Sequence, residues 1–253
     1  MGECLRLYHP LTNEGDNVAQ EGRGSLLATG GWPSIGLIFL YGVLSSASLS
    51  KIIPILGDIG SHFDAGAQRL GLLISLMTVL PALLAAVAGS AIDRLGARRT
   101  LQLVALVGMA VNAAYLVADS LSAFMVIRVF EGLLALGAYA AAPALMMSTA
   151  SGARRARAMA LWSTYSPIGT ALGLLLSGAF AGTEQWLGGY RIHLAMFAVL
   201  AIASPLLPRA PPAVQGAPPR AGLFDTWTQA GPITAIRLSR NSVTSWRARI
   251  APR

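Results

Sequence analysis

The 253-residue chain is 54% hydrophobic and only 12% charged, with a mean hydropathy of +0.58. A soluble domain carries about a quarter charged residues, so the chain reads as an integral membrane protein with the lipid bilayer as its solvent. Its net charge of +8 could point to nucleic acid, but the arginines fall in short clusters between apolar runs and in the final segment. That is the pattern of topology signals, and no nucleic-acid partner is expected. The single cysteine, Cys4, excludes an internal disulfide and a cysteine-based metal cluster, and no cofactor or metal is expected.

Residues 1–31 are polar and mixed in charge and delay the first apolar run beyond the usual place of a signal-peptide core, so they read as a cytoplasmic tail. A spanning helix needs about 20 mostly apolar residues. Six stretches qualify within a domain of residues 32–207: 34–55, 69–92, 100–118, 121–148, 156–181 and 190–207. Only Asp119 and Ser120 separate the third from the fourth, which demands an antiparallel pair.

With the amino terminus inside, the inner loops hold Arg94, Arg98, Arg99, Arg154, Arg155 and Arg157, and the outer side holds Lys51, Arg69 and Arg191. That excess predicts a multi-pass protein of the plasma (inner) membrane with its amino terminus in the cytoplasm. Residues 208–253 begin with a run rich in proline and continue as an arginine-rich tail without helical or strand periodicity, expected to be disordered.

Small residues indicate how the spans pack. Gly169, Gly173 and Ser177 recur every four residues on the fifth, as do Ala85 and Gly89 on the second, allowing close backbone approach. Pro81, Pro143 and Pro167 lie within spans and mark kinks. Arg128 and Glu131 on the fourth span are the expected buried charges, three residues apart and able to pair. The alternative places Arg128 near the outer end, reaching to the interface. No catalytic set is expected: Ser177 and His193 form the one plausible serine–histidine pair, but both lie at or near the outer loop.

Between the second and third spans stands Gly89-x-x-x-Asp93-Arg94-x-Gly96-x-Arg98-Arg99. Asp93 can accept hydrogen bonds from Arg94, Arg98 or the first free amides of the next helix, and Gly96 permits a sharp reversal. This stretch resembles the loop motif of the major facilitator superfamily. Arg128-x-x-Glu131-Gly132 resembles that family's fourth-helix motif, and Gly188-Gly189-Tyr190-Arg191 the stretch that opens its sixth span. Ser166-Pro167-Ile168-Gly169 resembles the antiporter motif only in part, because there proline follows glycine.

The resemblance covers residues 33–207. It implies an all-α fold of six transmembrane helices in two three-helix inverted repeats, half of a twelve-helix transporter. It further implies alternating access for a small organic solute, an anion if Arg128 faces the pathway, with proton coupling through Glu131. Residues 89–99 would gate by touching a second half. Because the family's first and fourth helices commonly line the cavity, Tyr41, Ser45, Arg128 and Tyr139 are the pathway candidates, while Gly132, Pro167, Gly169 and Gly173 pack helices. Asn112 is expected to bond to a neighbouring helix, and Trp162 to anchor at the inner interface. With one half in hand, three expectations compete: a truncated, inert product; a half that pairs with itself or a partner; or a regulatory tail.

Overall fold

The computed structural model describes residues 31–209; at Leu80, Ala86, Val87, Ala88, Ser90, Ala91 and Asp93 it describes the backbone alone. The two terminal segments of the sequence reading lie outside the described residues. Among the described residues eight α-helices follow one another: α1 (Trp32–Ser50), α2 (Leu56–His62), α3 (Ala67–Leu95), α4 (Ala97–Leu116), α5 (Leu121–Thr149), α6 (Gly152–Trp162), α7 (Tyr165–Gly178) and α8 (Gly188–Ala203). A 3-10 turn (Ser204–Leu206) ends the last, and the described residues contain no strand.

Local chemistry sets the boundaries. Pro33 opens α1 in the first turn, where a missing N–H costs nothing. Gly96 alone separates α3 from α4 and adopts φ 83°, a conformation that disfavours a side chain, as the loop motif requires. Ser120 caps α5 by accepting from the Ala123 N–H, which places the reversal at Asp119 and Ser120 as expected.

The stretch 156–181, expected as one span, is two helices. Pro167 has no N–H to offer the Ser163 carbonyl, so the helix ends at Trp162 and restarts at Tyr165, with proline tolerated in the new first turn. Among the described residues five helical segments are long and apolar enough to cross a membrane: Trp32–Ser50, Ala67–Ala85, Ala97–Val117, Leu121–Thr149 and Gly188–Leu206.

In the packing, α1 lies mainly against α7, α3 against α5, and α4 against both α5 and α8, while α1 and α5 meet directly. Glycines set the closest approaches. A methyl group at Gly132 on α5 would lie 2.6 Å from the Met77 carbonyl oxygen and 3.1 Å from Pro81 of α3. Methyl groups at Gly169 and Gly173 of α7 would strike the backbone of α1 at Val43 and Ala47. Ser46 and Ser50 of α1 fasten the same contact by donating to the Ser166 and Thr170 carbonyls, each at 3.0 Å.

Within the described residues Gly89 packs against no other helix: it is exposed, and nothing lies within 4 Å of where its Cβ would be. Trp162 is 8% exposed and stacks on Tyr165 at 4.3 Å, so protein covers most of its surface.

Two apolar clusters fill the bundle. One gathers Ile38, Leu44, Leu101, Leu145 and Phe197; the other, at the α2 end, gathers Ile52, Ile55, Ile59, Phe124 and Tyr190. Gly132→Val should lower stability by about 1–3 kcal/mol through overpacking, whereas Gly71→Ala, with open space around it, should be neutral. Thermal unfolding in detergent measures both.

Candidate functional site

Along each of four helices a polar pair stands between residues of the two apolar clusters: Ser48 and Lys51 at the end of α1, Asn112 and Tyr115 on α4, Arg128 and Glu131 on α5, Tyr190 and His193 on α8. Among the described residues the buried Lys, Arg, Asp and Glu side chains are Lys51, Arg128 and Glu131. The helices bring all three together.

Glu131 is the centre. Its Oε1 lies 2.7 Å from Lys51 Nζ, and its Oε2 lies 2.5 Å from Arg128 Nη1 and accepts the Tyr115 hydroxyl at 2.9 Å. Lys51 Nζ also donates to Asn112 Oδ1 at 2.6 Å and sits 4.6 Å from the Tyr190 ring centroid and 5.4 Å from that of Tyr115. The aromatic faces thus complete its surroundings with electron density. Asn112 is oriented by its own Nδ2, which donates to the Gly108 carbonyl at 2.7 Å.

Arg128 also reaches α1 with both terminal nitrogens, while its Nε has no protein partner. Nη1 reaches the Ser48 carbonyl at 3.0 Å and Nη2 the Leu49 carbonyl at 2.9 Å. These belong to the last turn of α1, where helix carbonyls lack N–H partners and the dipole favours a cation. Arg128 is fully buried and does not snorkel.

Above the cluster, at the α2 end, an aromatic cap closes the bundle. Tyr115 packs on Tyr190 (4.4 Å) and Phe124 (4.9 Å), Phe124 on Phe63 (5.3 Å), and His62 on Trp186 (5.4 Å).

Lys51 was missed as a member and counted instead as an outer-loop cation. The available signal was its setting: the one lysine in the chain, followed directly by Ile52 and Ile53 and inside the first apolar run. Its burial leaves Arg69 and Arg191 as the outer cations of that count. Asn112 does bond across helices, as expected.

The other pathway candidates lie elsewhere. Tyr41 is buried and donates to the Leu200 carbonyl of α8 at 3.4 Å; Ser45 is buried without a protein hydrogen-bond partner; Tyr139 packs on Tyr165 at 5.2 Å. Ser177 Oγ and His193 Nε2 likewise lack protein partners, so no serine–histidine pair forms.

In the loop motif Arg94 and Arg99 are exposed, and the Asp93 side chain lies outside the described residues. Arg98 turns to the end of the last helix, donating from Nε to the Leu207 carbonyl at 2.9 Å and from Nη2 to that of Pro205 at 2.8 Å.

A family model described as Major Facilitator Superfamily matches residues 38–251. The match runs past Leu207, where the resemblance was expected to stop. A search of curated proteins finds no match.

Removing the carboxylate should be the costliest single change at the cluster. Glu131→Gln strands two cations side by side and should destabilise by about 3–5 kcal/mol. Lys51→Met leaves Arg128 and Glu131 as a neutral pair and should cost clearly less. Unfolding of both variants in one detergent gives the ranking.

Proposed function

Because the chain belongs to the major facilitator superfamily, a family of membrane transporters, we propose that it serves secondary, alternating-access transport of a small organic anion driven by a proton gradient. The observation that carries the anion and the coupling is the ion cluster, with two cations and one carboxylate held among four helices. Its excess positive charge favours an anionic solute, and charges buried within a membrane bundle are rarely retained without a role. Glu131 itself is a poor coupling acid, since a proton on it would leave Lys51 and Arg128 uncompensated.

The six-span reading treats α6 and α7 together as the fifth crossing. Reciprocal packing of α1 on α7 and of α5 on α3 supports two inverted three-helix repeats. Gly71, Ser75, Thr78, Ala82, Ala85 and Gly89 make one exposed, small-residue face of α3. That face supports a second six-helix unit, another half or another copy, as the partner against which residues 89–99 gate.

In vesicles containing the purified chain, radiolabelled acetate, succinate and benzoate should be tested for uptake under an imposed pH gradient. At least one should accumulate, and accumulation should collapse with a protonophore and with Arg128→Ala. No accumulation of any carboxylate by folded protein would overturn the anion reading.

The orientation, in a plasma (inner) membrane with the amino terminus cytoplasmic, rests on six inner arginines against Arg69 and Arg191. Cys4 is the natural probe. A membrane-impermeant maleimide should leave it unlabelled in intact cells and label it after permeabilisation; labelling of intact cells would reverse the topology.

A further inference from the structure

The ion cluster carries one charge too many. Around Lys51 the facing groups are Arg128 and Glu131 from α5, Asn112 and Tyr115 from α4, and Tyr190 and His193 from α8. Among them Glu131 alone supplies a full negative charge at neutral pH, against the two cations Lys51 and Arg128. An uncompensated charge in a bundle interior is costly, and such a site relieves it by moving a proton.

Only one group can release that proton. Arginine keeps its proton at any pH a protein meets. Protonating Glu131 would worsen the imbalance. Tyr115 donates its hydroxyl to Glu131 at 2.9 Å, so ionising it would set two anions face to face. Tyr190 turns its ring to Lys51 and its buried hydroxyl has no protein partner, so a phenolate there would have no donor to hold it; the Lys51 ammonium remains.

We propose that Lys51 is the proton-exchanging group of this bundle. Its Nζ–H bond breaks, the proton passes to water at the α2 end, and the amine keeps the electron pair while Arg128 and Glu131 persist as a neutral ion pair. Reprotonation from water reverses the step. Lys51 follows directly on the end of α1 and its ammonium lies against the Tyr115 and Tyr190 rings of the aromatic cap, so the proton leaves when that cap admits water.

The sequence agrees. Of nineteen Lys and Arg residues Lys51 is the only lysine. Arginine fills every other cationic position, the equally buried position 128 included, so the one cation able to lose a proton stands beside the carboxylate. Its use in transport rests on the reading given under Proposed function; its existence as a proton site does not.

The lone lysine makes the test direct. Full-length protein labelled with [13Cε]lysine and held in lipid nanodiscs gives one lysine resonance. It should move from the ammonium to the amine position at a pH where a water-exposed lysine, titrating near about 10.4, is still fully charged. A resonance held at the ammonium position until the protein unfolds would overturn the proposal.

A second arm uses Lys51→Arg, which fixes the charge. In folded protein it should abolish gradient-driven carboxylate accumulation; accumulation undiminished in this variant would count equally against Lys51. Should wild-type protein move no carboxylate at all, the transport reading fails, and the resonance still decides the proton site.

Discussion

One carboxylate joins three helices. Glu131 of α5 is held by Lys51 from the end of α1 and by Tyr115 from α4, while Arg128, one turn away on its own helix, reaches past it to the last carbonyls of α1. Buried ion pairs add little net stability compared with apolar packing, yet breaking one by removing a partner is expensive. The cluster therefore acts chiefly to specify where α1 ends relative to α5 and α4. Two apolar clusters above and below it supply the burial, and the polar layer fixes their register.

That constraint bears on how such a bundle moves. α1 is the most enclosed of the membrane-length helices, gripped along one side by α7 through Gly169 and Gly173 and tied at its end by the ion cluster. Any displacement of α1 against α5 must separate Lys51 from Glu131 or carry both. A change of charge on Lys51 alters that attraction directly, so the protonation state and the helix arrangement bias one another.

Much of the fold was legible because membrane-length apolar runs, a lone glycine at a reversal and a serine cap are local signals. The Arg128–Glu131 pair was legible for the same reason, being three residues apart on one helix. What escaped notice depends on tertiary neighbours. Lys51 stands near the end of the first apolar run, where a cation is ordinarily solvated, and its partner Asn112 is 61 residues away. At Pro167 the sequence marks a kink and the structure has a full break at Ser163, because a hydropathy reading continues the span through a residue that lacks the N–H a continuous helix needs. Tyr41 and Ser45 read as pathway residues because the family resemblance places the first helix at the cavity; both are buried within this bundle.

The arginines share a recurrent task that separates them from the lysine. Arg128 caps the last turn of α1, Arg98 caps the end of α8 at Pro205 and Leu207, and Arg155 donates to the Ala150 carbonyl at 2.8 Å just beyond α5. Each time a guanidinium meets carbonyls that a helix end leaves without donors, a task suited to a planar fork of permanent charge. The 89–99 loop thus has a function inside this bundle, since Arg98 fastens the α3–α4 reversal to the last helix whatever else the loop touches. Lys51 reaches none of these helix ends with its ammonium, directing it to a carboxylate, an amide oxygen and two aromatic faces. A residue used once, at the place where charge does not balance, is set apart by its chemistry: there the fixed cation is already supplied by Arg128, and what an ammonium adds is a proton that can leave.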